Sequence, residues 1–472
     1  MSLSKTLLTV TATAALLAGC TMAPDYKRPD LAVSAEWPQG QAYAGGMSDP
    51  QASISAVTWQ SFFQSPQMQQ IIQTALENNR DLRVAALRVE QARAVYRVER
   101  SALVPSVNAG GSMTRQGVPE NASMTGQEMT TSTYSANVGI TAFELDLFGR
   151  VRSMNEKALQ EYFATEEAQS AARIALIAET ANAYLTYLAD KKLLTITEDT
   201  LKAQQESYNL IVRRHDLGIS SLLDLEQART SVETARANRV RYIRLVAQDR
   251  NALELLMGAK SDEAALDALT LDTVELAEIL PVGLPSAVML ERPDIRQAEH
   301  TLQAANANIG AARAAFFPTI SLTGSAGLAS ESLSDLFKSG SSLAWSFVPQ
   351  ITVPIFSGGR NVANLDNATA TQKIAVAQYD KAIQTAFREV SDELAARGTY
   401  TEQLAAQTAL VTAAGNAYKI SRARYEQGID SYLNALDSQR QLYNAQQSEI
   451  AVQQERLVNF VTLYKVLGGG KN

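Results

Sequence analysis

The sequence predicts an elongated, internally duplicated α-helical protein that carries four membrane-crossing β-strands per chain. Three observations predict this class. Val151 to Leu217 contains neither Gly nor Pro, and a helix of that length runs roughly 100 Å at 1.5 Å per residue. Tyr187, Leu194, Leu201 and Tyr208 recur every seven residues, and the seam returns 210 residues later as Leu404, Val411 and Tyr418, with Tyr425 one heptad on. A long helix repeated at a fixed offset marks a duplicated rod that needs partner helices along its length. Between the helices, the apolar period switches from 3.6 to 2 in two places.

The N-terminus reads as a secretory signal over 1–19: Lys5, an apolar run from Thr6 to Ala18, then Leu17-Ala18-Gly19-Cys20. This site resembles a bacterial lipobox, and Cys20 is the only cysteine in the chain. Cys20 is therefore expected to carry a covalent lipid as the first mature residue, and no intrachain disulfide is possible. Thr21, in place of an Asp, is compatible with the outer membrane. Residues 20–57, with Pro24, Pro29, Pro38 and Pro50, are expected to form an extended leader running from the anchor along the body.

The first repeat spans 58–258. Trp59, Phe62 and Phe63 introduce a helix near Gln67 to Glu77. A second runs from Asp81, its expected N-cap, to about Ala102 before Pro105. A strand pair follows near 106–147. Val107, Ala109, Gly111 and Met113 alternate with polar or small residues, and so do Tyr134, Ala136, Val138, Ile140 and Ala142. The loop between them, Arg115 to Thr133, is polar. Strands of about 10 residues with long loops at one end fit transmembrane β-strands. The long helix 151–217 and a returning helix 219–257 complete the repeat, punctuated by Gly218 and Gly258.

Residues 259–293 form a linker with Pro281, Pro285 and Pro293 and room for one short helix. The second repeat, 294–468, has strands near 319–356, a long helix 360–427 and a helix 429–467, before a tail at 469–472. Gly149-Arg150, Gly218 and Gly258 return as Gly359-Arg360, Gly428 and Gly468. Gly398 and Gly415 each weaken the second long helix by about 1 kcal/mol and are expected to bend it. Four strands cannot close a barrel, and an open sheet in lipid leaves costly unpaired backbone. The chain must oligomerise, with a dimer, trimer or tetramer all permitted by this arithmetic.

A net charge of −7 with no basic block argues against nucleic acid as a partner. No apolar segment of 18 or more residues follows the signal, so no spanning helix is expected. His215 and His300 are the only histidines, too few and unaccompanied for a metal or acid–base site. Gly468-Gly469-Gly470-Lys471 lacks the helix a phosphate-binding loop needs. Neither enzyme activity nor a cofactor is expected, apart from the lipid on Cys20.

Three stretches carry a family resemblance. They are Leu284-Pro285-Ser286 with Glu291-Arg292-Pro293-Asp294-Ile295-Arg296, Ala311-Ala312-Arg313-Ala314-Ala315-Phe316-Phe317-Pro318, and Pro354-Ile355-Phe356-Ser357-Gly358-Gly359-Arg360. With the lipobox and the duplication, the chain resembles the outer-membrane efflux factor family (TolC-like channels), in its lipoprotein branch, from Trp59 to Gly468. The resemblance implies a homotrimer with a twelve-stranded β-barrel in outer-membrane lipid, continued by a periplasmic coiled-coil barrel with a belt around its middle. It implies the exit duct of a tripartite pump, working with a periplasmic adaptor protein and an inner-membrane RND-type transporter. A type I protein-secretion duct is the alternative within the class. A trimeric surface adhesin ranks low, because its strands would lie together at one end of the chain. A soluble periplasmic scaffold would need the alternating stretches to form an ordinary sheet.

The resemblance also implies a gate at the periplasmic tip. Carried over residue by residue, Leu433 falls at the apolar constriction, Asp437 at an acidic ring and Arg440 at its basic partner. Asn434 stands where TolC-type channels have a second acid, and Asp430 where they have an arginine. Asp224, Tyr425 and Asp430 are the expected tip links, with Asp224 reaching Tyr425 or a neighbouring helix.

Overall fold

The structure, a computed structural model, describes residues 21–30, 33–43, 57–124, 126–277, 280, 282–283, 285–338 and 342–469. The expected signal peptide, Cys20, and parts of the leader, linker and tail lie outside these residues. The chain divides into two compact units.

The first unit takes in Arg88–Glu166 and Gln297–Tyr379 together with the start of the leader. Its centre is one antiparallel sheet in the order β1 (Val107–Val118), β2 (Met129–Leu145), β3 (Thr319–Ser330), β4 (Leu343–Thr352). The two sequence-distant pairs join through β2 and β3, from Tyr134 opposite Ser330 to Leu145 opposite Ile320. Val107, Met113, Val138, Trp345, Phe347 and Ile351 are exposed on strands long enough to cross a bilayer. Among the described residues β1 pairs only with β2 and β4 only with β3, which leaves an open edge on each side. The first loop is shorter than expected, because strand pairing continues to Val118 opposite Met129.

Gly149, at φ 76°, turns the chain from β2 into α4 (Arg150–Asp216). Arg150 holds Glu144 through Nε at 2.8 Å, and the Arg152 N–H donates to Asp146 at 2.8 Å. Phe148 stacks on Phe317 with centroids 4.8 Å apart. These contacts fix the start of the long helix against the foot of the sheet.

The second unit takes in Leu31–Leu87, Glu167–Arg296 and Asp380–Asn472. It begins with α1 (Trp59–Phe62) and α2 (Pro66–Asn78), which precede α3 (Arg80–Ser101). Phe62 and Phe63 are fully buried, and Phe62 stacks on Tyr464 at 4.6 Å. The cap of α3 is Asn79 rather than Asp81. The Leu82 N–H donates to Asn79 Oδ1 at 2.9 Å, and the Asn79 amide donates to Leu256 O at 2.9 Å. Asp81 lies within the first helical turn, where its charge suits the helix dipole instead.

After α5 (Leu222–Met257), the linker folds more than expected, into α6 (Glu263–Asp267) and α7 (Pro285–Glu291) before α8 (Pro293–Ala314). Tyr184 of α4 donates to Leu266 O at 2.9 Å, and Tyr187 to Asp267 at 2.8 Å, which straps the linker to the long helix. The second long helix, α9 (Arg360–Glu426), runs without interruption through Gly398 and Gly415. Gly398 is a packing residue: a Cβ there would lie 2.0 Å from Ala42 O of the leader. Trp37 stacks on Phe387 of α9 at 5.1 Å and donates to Gly283 O at 3.0 Å. The chain returns in α10 (Tyr432–Val466).

Asp190 on α4 and Asp249 on α5 bring two carboxyls together. Burial and the Asp190 charge push Asp249 from 3.8 up to about 7. Between those values the unfolded chain has lost a proton that the native chain keeps, so stability falls as pH rises from about 4 to about 7. Asp249→Asn is expected to raise the melting temperature more at pH 8 than at pH 5. An equal gain at both would contradict this account.

Candidate functional site

The two long helices end identically. Gly218 and Gly428 each take φ 74°. The Gly218 N–H donates to His215 O at 2.8 Å and the Ile219 N–H to Arg214 O at 2.8 Å. The Gly428 and Ile429 N–H groups repeat the pattern to Tyr425 O at 3.0 Å and Arg424 O at 2.9 Å. This is the glycine-dependent Schellman ending, which satisfies the last carbonyls of each helix. It places Arg214 and Arg424 in the last turns, where a cation suits the helix dipole.

The helices that follow begin later than expected, at Leu222 and Tyr432, and they begin differently. Ser221 and Asp224 form a capping box: Ser221 Oγ accepts from the Asp224 N–H at 3.1 Å, and Asp224 Oδ2 accepts from the Ser221 N–H at 3.1 Å. Ser431, the repeat partner of Ser221, has no side-chain cap bond. Its third helical residue is Asn434 where the first half has Asp224, so the reciprocal box is lost. Caps of this kind contribute about 1 kcal/mol. The second turn is thus the less firmly held of the two.

A buried cluster joins the turns: Ile211, Ala228, Tyr432 and Leu436, with Tyr208, Leu225 and Tyr425 packed against it. Tyr425 and Tyr432 meet with centroids 5.5 Å apart, and the Arg214 guanidinium lies 5.1 Å from the Tyr425 ring centre. Burial, then the neighbouring Tyr425, pushes the Tyr432 phenol up to about 12, so it stays neutral. The Tyr425 hydroxyl is buried and has no hydrogen-bond partner within the described chain.

The expected gate residues sit on this platform. Leu433 is half exposed, next in the chain after the buried Tyr432. Arg440 Nη2 reaches Asp437 Oδ1 at 3.5 Å, and Gln441 donates to Asp437 Oδ2 at 2.8 Å. Both partners of the Asp437–Arg440 pair are more than half exposed, so within one chain it contributes at most about 1 kcal/mol. Asp430 accepts from Arg424 Nε at 2.5 Å, a contact that raises the arginine pKa. The expected link from Asp224 to Tyr425 does not form within the chain, because the Asp224 carboxylate is engaged by Ser221. Tyr425 is held instead by Arg214 and Tyr432.

Sequence reasoning missed Arg214, Arg424 and Tyr432. The 210-residue offset pairs Arg214 with Arg424, each four residues before its turn glycine, and that signal was sufficient to find both. His300, set aside from any catalytic role, bonds Gln160 through Nδ1 at 2.7 Å.

The family model described as Outer membrane efflux protein matches residues 71–259 and 284–469. The toluene efflux pump outer membrane protein TtgC of Pseudomonas putida is 51% identical over 470 residues, covering 99% of this chain and 96% of that protein. A membrane protein from Pseudomonas aeruginosa superimposes with a TM-score of 0.89 at 43% identity, covering 96% of this chain and 98% of that one. The open state of the Neisseria gonorrhoeae outer membrane channel MtrE gives a TM-score of 0.86 at 39% identity, covering 96% and 98%.

Proposed function

This chain belongs to the outer membrane efflux protein family, and from that premise we propose how its parts work as the exit duct of a tripartite pump. It is an outer-membrane channel with a long periplasmic extension. Three copies pair the open edge of β1 with that of β4 around a closed ring of twelve strands, which removes every free edge from the lipid. The apolar residues on the outer face of the strands meet the bilayer. Cys20 carries the lipid that adds a second hold on the outer membrane.

The duct holds no fuel and performs no chemistry. A periplasmic adaptor couples it to an inner-membrane transporter of the RND type, which supplies the work. The cargo class is small apolar toxic compounds, in line with the toluene named for the relative at 51% identity. The two open sheet edges on a chain with two paired helix turns carry this reading, because they demand a ring with an aperture.

In that ring the three copies of Leu433 narrow the aperture, and Asp437 and Arg440 set its charge. Cells lacking this chain are expected to accumulate a hydrophobic dye several-fold above wild type, and expression of the chain to restore export. Unchanged accumulation with the partner adaptor and transporter present would contradict an export role.

A further inference from the structure

The start of the leader lies in a groove built to receive it. Glu299 of α8 is buried, at 8% side-chain exposure. Its hydrogen bonds go to the leader: Arg28 Nε at 2.8 Å, Arg28 Nη2 at 3.0 Å and the Tyr26 hydroxyl at 3.1 Å. The body thus keeps a buried carboxylate whose partners belong to a segment about 270 residues away in sequence. Such a group is costly without its partners. The groove continues along α8. The Asn306 amide donates to Pro24 O at 2.7 Å, and Arg313 to Met22 O at 3.2 Å. Thr21 Oγ1 lies 3.3 Å from Ser153 Oγ of α4. A Cβ at Gly310 would stand 2.6 Å from the Ala23 N, so only glycine leaves room for the leader backbone.

We propose that this groove is a docking site for the leader, selective for the Tyr26–Arg28 pair through Glu299, and that it fixes the acylated N-terminus to one point on the protomer. The role assigned to the acyl group rests on the lipid reading of Cys20. Docking, rather than leader length, then sets the reach of the anchor, because Thr21 is seated one residue after the acylated position. The contacts are of two kinds. Bonds to Pro24 O and Met22 O read the main chain and accept many sequences. The bidentate Arg28 pair reads the side chain and sets the register.

The test uses full-length protein in outer membranes, labelled with palmitate and treated with trypsin. Trypsin needs an extended segment around Lys27, which docking withholds. Glu299→Gln and Gly310→Ala act on different contacts and are each expected to speed cleavage after Lys27 at least tenfold, releasing the labelled peptide. Heat-resistant trimer confirms that the body of each variant is folded. Cleavage of folded Glu299→Gln at the wild-type rate would overturn the proposal. Cleavage is scored by mass, independently of the label. Unlabelled wild type that still shows the rate difference would remove the lipid reading, with it the anchoring role, and leave the docking site standing.

Discussion

Arg292→Ala is expected to lower the melting temperature by several degrees, with a loss of about 1–3 kcal/mol per chain. Arg292 is 8% exposed in its side chain and closes three structures at once. Its Nη1 donates to Val466 O at 2.6 Å, capping the end of α10. Its Nη2 reaches Asp294 at 2.6 Å and Glu389 of α9 at 2.9 Å. Gly468 packs against its side chain, within 3.5 Å of Cγ by its absent Cβ. Removing the guanidinium leaves a helix-terminal carbonyl and two part-exposed carboxylates without their shared partner. Arg292→Lys keeps the charge but loses the fork, and is expected to recover less than half of the loss. Thermal unfolding by circular dichroism reads both. A melting temperature within 2 °C of wild type for Arg292→Ala would show that the network carries no stability.

Tyr432→Ala is expected to open the aperture far more than Asp437→Ala. Tyr432 is 6% exposed and sits at the centre of the cluster that joins the two helix turns. Truncating a buried aromatic costs about 3–5 kcal/mol, against at most about 1 kcal/mol for the exposed Asp437–Arg440 pair. The turn it supports already lacks its capping box. Cells carrying Tyr432→Ala are therefore expected to take up a bulky dye that wild-type outer membranes exclude, with Asp437→Ala intermediate. The reverse ranking would assign the closure to the charged ring instead of the tyrosine packing.

The long helices were legible because Gly and Pro are absent from Val151 to Leu217, and because the same punctuation returns 210 residues on. The strands were legible because the apolar period changes to 2. Helix starts were less so. The residues after Gly218 and Gly428 carry no helix-breaking signal of their own, yet the turn consumes two more before Ser221 and Ser431 cap the next helices. Asp81 and Asn79 are equally good caps by type, and only the contact with Leu256 O decides between them. Gly398 read as a bend because composition shows the cost of a glycine and not the leader backbone that fills its space. At the turns, Tyr425 was found by pattern. Its partners were not, because Arg214 comes from the other half of the chain and the contact with Tyr432 depends on which face each helix buries.

The most direct test of a duct held closed at its helix turns is planar-bilayer conductance of the purified wild-type trimer beside Tyr432→Ala. The account predicts a small wild-type conductance that rises severalfold in the variant. A wild-type channel already conducting at the variant's level, or no channel from either folded trimer, would contradict it.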